Sequence, residues 1–464
     1  MDTKSFAPFP IKTRAGAANG GTIAVVHIGG EQPVVVDARF ARRFEPTLQA
    51  LARDPSIRGA ILCSDSPTHF AEGPKLAQLR DVETEAGADA FLAPGARLLL
   101  RMHAMEKPIV AVVDGDATGA GFELALACSA MVATPRAACS LSSSLVGYLP
   151  GHHGLQALAS RVGPAEAARI ALGSEVLSSS RLVSLGLAST ARDPLAEAER
   201  LIDHGPRGVP RLRGHHVVTG RAALTLYRKR ALAAACRHDV ARERVFELLQ
   251  VFISSGFTAS VALERHLAAE LAIAHTTKRL IKRALSPEMQ TLTGDFNARL
   301  QCAFVSEALA LVSEGRTARD IDEALVRWGF LRGPIALAEH IGRSRVAEWQ
   351  ERFRRTLGER FAVPVPKPRA RPASAEEQQA RCVLRLVNEA RHCPADGLVS
   401  DLPAADLAAA VATGFPAFRG GPFAYADDLG HEFGDRLRVL ERRFGSRFAP
   451  ARDAKTASID APKP

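Results

Sequence analysis

The chain is poor in the residues and patterns that most readily declare a function. It has three Tyr and two Trp in 464 residues, too few for the stacked aromatic platforms on which single-stranded nucleic acid lies. Its seven cysteines, Cys63, Cys128, Cys139, Cys236, Cys302, Cys382 and Cys393, are odd in number, scattered and without a CxxC pair, so neither a disulfide framework nor a metal is expected. The histidine doublets His152–His153 and His215–His216 lack the i, i+4 spacing that puts two imidazoles on one helix face, and no zinc site is expected from them. No apolar run is long enough for a membrane span. The opening MDTKSFAPFPIKTRAG lacks the apolar core of a secretory signal, and a cytoplasmic protein is expected. No GxGxxG occurs: three positions after Gly121 stands Leu124. Without that turn to cradle a pyrophosphate, NAD binding and dehydrogenation are not expected.

What is present begins with charge. The net charge is +10 and the pI about 9.5. The arginines are dispersed among helical segments, which speaks against nucleic acid; a phosphorylated small molecule and a merely solvated basic surface remain as readings. With 47% hydrophobic and 24% charged residues the chain reads as globular, and its length suggests two to four domains.

The first part alternates short aliphatic runs (Thr22 to His27, Gly59 to Cys63, Ile109 to Val113) with helical spacing over Ala38 to Arg53 and Ala93 to Met105. This is a βα pattern with buried, parallel-type strands. From about Pro210 strand signals nearly vanish, leaving amphipathic stretches over Arg221 to Arg237, Ala241 to Ser254, Ser260 to Ala274 and Thr276 to Leu285. Ala362 to Ala373, AVPVPKPRARPA, is proline-rich and basic and reads as a linker. It separates two related segments. Each has a helix with a glutamate after a small polar residue (Glu307, Glu389), an acidic helix start, a Gly-Phe turn, and a Gly-Pro helix N-terminus at Gly333-Pro334 or Gly421-Pro422. A duplicated helical unit is the expectation.

The stretch with most chemistry in it is Val112 to Ala133, VVDGDATGAGFELALACSAMVA. An apolar strand runs into a turn containing Gly119 and Gly121, which opens an alanine-rich helix with Glu123 on its first turn. Glycines let a backbone approach a ligand closely, and the free N–H groups of a helix N-terminus suit a developing negative charge. Glu123 is then either an ordinary first-turn glutamate favoured by the helix dipole or an acid/base group beside an oxyanion.

This turn, the following ELALACSA, Leu149-Pro150-Gly151 and SRVGPAEAARIALGSEVLSSSRLVSLGLAS resemble the crotonase (enoyl-CoA hydratase/isomerase) family over residues ~20 to 200. DPSIRGAILCSDSPTHFAEGPKL is similar to the strand and turn that build half of that family's oxyanion hole. GFPAFRGGPFAYAD and its counterpart resemble the C-terminal domains of 3-hydroxyacyl-CoA dehydrogenases, and GFTASVALERHLAAELAIAHTTKRLIK resembles the helical connector of the multifunctional fatty acid oxidation α-subunits. In those proteins an NAD-binding Rossmann domain follows the connector, whereas here Leu285-Ser286-Pro287 runs almost directly into the repeat at Gln290.

The resemblance implies an α/β crotonase-like (ClpP/crotonase) domain over 1–209 and a helical connector over 210–286. Dehydrogenase C-terminal-like repeats follow over 287–361 and 376–450, with a linker over 362–375 and a tail over 451–464. It implies an acyl-CoA thioester as substrate or ligand, no tightly bound cofactor, and a thiolase subunit or a second copy of the chain as partner. Carried over by position, the family's glutamates fall on Glu123 and Ser143, its oxyanion donors on Ala120 and Pro74, and its dehydrogenase asparagine near Ala298, beside Asn297. Phe70, Ala71, Gly73, Leu76, Gly119, Gly121, Leu149, Pro150 and Gly151 would surround the acyl thioester. Proline has no N–H to give, and an unassisted serine has no useful basicity near neutral pH; a shift of one residue would move the donor role to Gly73. Lys75, where the family turn commonly has an aspartate, is a solvated loop lysine or a partner for CoA phosphates. Two functional readings follow: weak enoyl-CoA hydratase or isomerase action through Glu123, or a catalytically inactive structural or regulatory subunit.

Overall fold

The computed structural model describes residues 8–15, 21–29, 33–66, 68–173, 176–204, 220–228, 240–285, 294–330, 332–362, 373–416 and 419–451. His215–His216, Cys236, Ser286 to Gln290, most of the proline-rich stretch and the C-terminal tail lie outside the described residues, as does the second half of the stretch Arg221 to Arg237. The chain divides near residue 282 into two units.

In the first unit, strands β1 (Ile11–Ala15), β2 (Thr22–Ile28), β3 (Ile57–Ser64), β5 (Ile109–Val113) and β7 (Ala130–Ala133) form a sheet in the order β1-β2-β3-β5-β7. All its pairings are parallel except that of β1 with β2. A second sheet holds β4 (His69–Ala71), β6 (Asp116–Thr118), β8 (Ala138–Ser140) and β9 (Leu177–Ser178), in that order. The chain thus passes from β3 to β4, from β5 to β6 and from β7 to β8, each long strand feeding a short one in the other sheet. Every residue of β5 is buried, as expected for a parallel strand covered on both faces.

The helices of this unit are α1 (Ala38–Arg53), α2 (Leu76–Arg80), α3 (Glu85–His103), α4 (Ala120–Ala127), α5 (Gly154–Val162), α6 (Pro164–Gly173), α7 (Ser179–Ser184), α8 (Pro194–His204), α9 (220–228), α10 (Val240–Ile273) and α11 (His275–Ala284). Helix α1 has the bounds its periodicity predicts. Asp37 caps it by accepting the N–H groups of Arg39 and Phe40 at 2.8 and 2.9 Å, and Phe40, Phe44, Leu48 and Leu51 bury one face. Helix α8 lays Ala198 and Ile202 on Ile23, Ile61, Val110 and Val132. Helix α3 starts at Glu85 rather than Ala93, because Thr84 caps it through the Gly87 N–H at 3.0 Å and Pro94 is carried inside.

Helix α10 is not one rod. Gly256 has φ 86°, and the two arms on either side of it, matching the two separate helices expected there, fold back on one another. The Ser260 hydroxyl donates to the Leu248 carbonyl at 2.9 Å, and Arg244 reaches Glu270 at 2.8 Å. By length and composition the span is apolar enough to cross a membrane, but a hairpin of this kind presents no continuous span.

The described part of the second unit is helical: α12 (Asp295–Ser313), α13 (Ala318–Trp328), α14 (Pro334–Ile341), α15 (Arg343–Leu357), α16 (Ala375–His392), α17 (Leu402–Thr413), α18 (Pro422–Leu429) and α19 (His431–Phe444). The two related segments take corresponding shapes. Asp322 on α13 caps α14 through the N–H groups of Ile335 and Ala336, and Asp406 on α17 caps α18 through those of Phe423 and Ala424. Their buried charges are crossed. Arg299 on α12 pairs with Glu389 on α16, while Arg381 on α16 pairs with Glu307 on α12. One apolar core takes residues from both segments, among them Phe304, Ile321 and Phe330 from the first and Leu386, Val387 and Phe415 from the second.

Candidate functional site

The glycine turn sits where β6 gives way to α4. Gly119 has φ 54° and donates its N–H to the Ser140 carbonyl at 2.9 Å. Gly121 lies so close to β4 that any side chain would run into the Ala71 carbonyl. The consequence is that the turn at Gly73 and the start of α4 meet backbone to backbone. A Cβ on Gly73 would stand 3.0 Å from the Ala120 nitrogen. Ala120 opens the helix, so its N–H has no partner within α4. In the facing turn Pro74 has no N–H, and the N–H of Lys75 is taken by the Gln78 side chain at 3.0 Å. The described hydrogen bonds leave the N–H groups of Gly73 and Ala120 without an acceptor, where the two turns come together.

Glu123, on the first turn of α4, is turned into the interior and is only 3% exposed. Its Oε2 accepts the backbone N–H groups of His152 at 2.9 Å and Gly154 at 2.8 Å, and its Oε1 lies 3.5 Å from His152 Nδ1. Burial alone would raise its pKa, but the His152 side chain and these two N–H groups outweigh it and hold the carboxyl below its ordinary range. Next to it, His153 gives both its N–H and its Nδ1 to Glu264 Oε1, each at 3.0 Å. The Tyr148 hydroxyl is buried near both carboxylates and has no hydrogen-bond partner in the structure.

Ser143 opens a short 3-10 turn, Ser143–Val146, and its carbonyl accepts the Tyr148 N–H at 3.0 Å. It brings no carboxylate to the site. Phe70, Ala71, Leu149, Pro150 and Gly151 are buried, and Leu76 is half-buried on α2. Asn297, half-buried on α12, leaves its buried side-chain oxygen unpaired. Among the described residues no group of three His, Cys, Asp or Glu side chains is placed to hold a metal.

A cavity of about 830 Å³ opens beside the Gly73 turn. It is lined by Phe9, Val34, Val35 and Phe40, with Arg39, Arg43 and Lys75 as its cations. Phe70, Leu76 and Leu149, expected around an acyl chain, do not line it. Lys75, two residues after Gly73, is the lining residue nearest that turn in sequence. That Arg39 and Arg43 line this cavity is not visible in the sequence, where they are two charges among many on an amphipathic helix. The doublet His152–His153 was visible, but not its pairing with two carboxylates.

Residues 24–201 match the model of the enoyl-CoA hydratase/isomerase family, and residues 294–373 that of the 3-hydroxyacyl-CoA dehydrogenase C-terminal domain. The first match falls within the α/β unit and the second begins in the helical unit. Curated relatives named fatty acid oxidation complex subunit alpha are 29% identical over 211 residues in Shewanella baltica (strain OS185) and 30% identical in Shewanella baltica (strain OS155 / ATCC BAA-1091). Each match takes in 36% of this chain and spans 30% of the relative's length. Among solved structures, an enoyl-CoA hydratase from Bacillus halodurans is 18% identical with a TM-score of 0.40, covering 59% of this chain and 98% of that one. Another from Rhodobacter sphaeroides 2.4.1 is 17% identical with a TM-score of 0.45, covering 59% and 89%.

Proposed function

We propose that the crotonase-type domain binds an acyl-CoA thioester, as expected of a fatty-acid-oxidation-type protein, and that Glu123 gives it slow enoyl-CoA hydratase or isomerase action without NAD-dependent dehydrogenation. The observation that carries this reading is the close approach of the Gly73 turn to the Ala120 nitrogen at the start of α4, with Lys75, two residues after Gly73, lining a basic cavity. Arg39, Arg43 and Lys75 suit the phosphates of CoA. The two N–H groups suit a thioester oxygen that becomes an enolate when a proton leaves the neighbouring carbon.

Rapid syn-hydration needs a second carboxylate, and position 143 supplies a serine. A single carboxylate suffices to carry a proton from one carbon of an enoyl chain to another, the isomerase half of this chemistry. The hold of His152 and Gly154 on Glu123 makes that carboxylate a weaker base and so a slow one. Calorimetric titration with CoA and crotonyl-CoA tests the binding. Following crotonyl-CoA absorbance and 3-enoyl-CoA isomerisation in wild type and Glu123→Gln tests the chemistry, the expected result being a small activity that the variant lacks. Absence of heat with either ligand overturns the reading.

A second reading is favoured by the same engagement of Glu123, whose carboxylate is already supplied with donors. On that reading the domain is a non-catalytic subunit that binds acyl-CoA and docks a thiolase or a second copy of itself. Equal rates in wild type, Glu123→Gln and buffer would select it.

A further inference from the structure

His153 is the non-glycine residue among those described whose φ is positive, at 68° with ψ 12°. A side-chain-bearing residue takes this left-handed conformation only when its surroundings hold it there. Here the holder is Glu264, on the second arm of the α10 hairpin and 111 residues along the chain. One oxygen, Oε1, accepts both the backbone N–H and the Nδ1 of His153, while the ring also reaches the Ala96 carbonyl on α3. The ring stands edge-on to Phe257 of the same hairpin, with centroids 6.4 Å apart.

The left-handed residue has a geometric effect on its neighbours. It turns the backbone so that the N–H groups on either side of it, those of His152 and Gly154, converge on Glu123 Oε2. Convergent N–H groups in such a turn make a small anion-binding concavity. We propose that Glu264 is a positioning residue for Glu123: by fixing His153 in the left-handed turn it aims the two N–H groups that seat the carboxylate. This inference rests on reading Glu123 as the carboxylate of an acyl-thioester site. It gives the α10 hairpin a part in the chemistry of a carboxylate it does not touch.

The charged and titratable groups around the turn come from every element packed there. They are His152 and Tyr148 from the loop before α5, Arg161 from α5, His103 from α3, Glu123 from α4 and Glu264 from α10. Burial would lower the pKa of His153, but Glu264 outweighs it and raises it, which favours the protonated ring 3.0 Å from the Glu264 carboxylate. Glu264 Oε2 has no partner, and the pair leans on its other oxygen alone.

The test reads the protonation of Glu123 directly, with no ligand. Infrared difference spectra of the whole chain against pH, with the Glu123 carboxyl band assigned by its loss in Glu123→Gln, give the titration midpoint. Glu264→Leu removes the acceptor while keeping the volume apolar. His153→Ala removes the clasp and disfavours the left-handed turn, and His153→Gly removes the clasp but adopts the turn freely. The midpoint should rise by about one pH unit or more in the Leu and Ala variants and stay near the wild-type value in the Gly variant. A folded Glu264→Leu or His153→Ala with an unchanged midpoint overturns the proposal. So does an equal rise in His153→Gly, which would put the imidazolium charge rather than the turn in command. If Glu264→Leu does not fold by circular dichroism, the Ala and Gly variants decide between themselves; if neither Leu nor Ala folds, the pair is structural first and the proposal falls. Because no acyl-CoA is present, a failure of acyl-CoA binding leaves this result standing on its own.

Discussion

Single residues in the second unit carry more energy than their count suggests. Glu389 is fully buried and accepts Arg299 and Arg385. Burial alone would raise its pKa, but those arginines outweigh it and bring it from 4.5 down to about 2. Its folded value lies below its unfolded one, so protonation favours the unfolded chain. Its contribution is complete above pH ~4.5 and is lost as the pH falls towards about 2. Glu389→Ala should therefore cost ~3–5 kcal/mol near neutral pH, because buried Arg385 loses its carboxylate and buried Arg299 keeps only the part-exposed Asp396. Urea unfolding at pH 7 and at pH 3 should show the difference between variant and wild type shrinking in acid. At the candidate site, on the proposed reading, Lys75→Glu should weaken CoA binding by about tenfold at low salt and by less at high salt, since Lys75 is exposed and would meet phosphates in solvent; calorimetry at two salt concentrations reads this. Glu123 was legible from its place after two glycines. What seats it was not, because the His153 clasp depends on a residue on another helix and on a backbone angle that no local pattern encodes.

Elements differ in how openly they are written. Helix α1 is legible because Phe40, Phe44, Leu48 and Leu51 recur at helical spacing behind a capping aspartate. The strands β4, β6 and β8 have three residues each, too few for any alternation to show, although they bring the Gly73 turn, the glycine turn and Ser140 together. The early start of α3 was hidden by Pro94, which reads as a break and is accommodated inside the helix. At the α10 hairpin the reading of two helices agrees with the structure because polar Ser254 and Ser255 precede Gly256. Gly256→Ala should destabilise the chain by about 1–2 kcal/mol, since a methyl-bearing residue resists φ near 86° even with open space around it. Comparison with Ser255→Ala by thermal melting separates the turn's demand from a general effect of substitution.

At the scale of the molecule, the last strand, β9, ends before residue 210 as the sequence reading expects, but the unit boundary lies near residue 282, so the described helices α9 to α11 of the connector fall in the first unit with the α/β domain. The duplication was legible as paired motifs, but its crossed charges were not, since a glutamate after a small polar residue does not say which helix its arginine comes from. The six described cysteines are all buried, and burial pushes Cys128 and Cys302 up to about 12. Mass spectrometry after brief native alkylation should find these six unmodified and, after denaturation, all six labelled.

The crossed pairs give the helical repeats a reciprocal dependence. Each repeat holds the counter-ion of the other, Arg299 for Glu389 and Arg381 for Glu307, and each contributes half of the aromatic interior. Residues 294–362 produced alone would carry an arginine and a glutamate stripped of their mates together with an uncovered apolar face. That fragment should remain unfolded by circular dichroism until residues 373–451 are added in trans. The repeats are bound as two signatories to one contract: neither can change its buried charge, or be shed, unless the other changes with it.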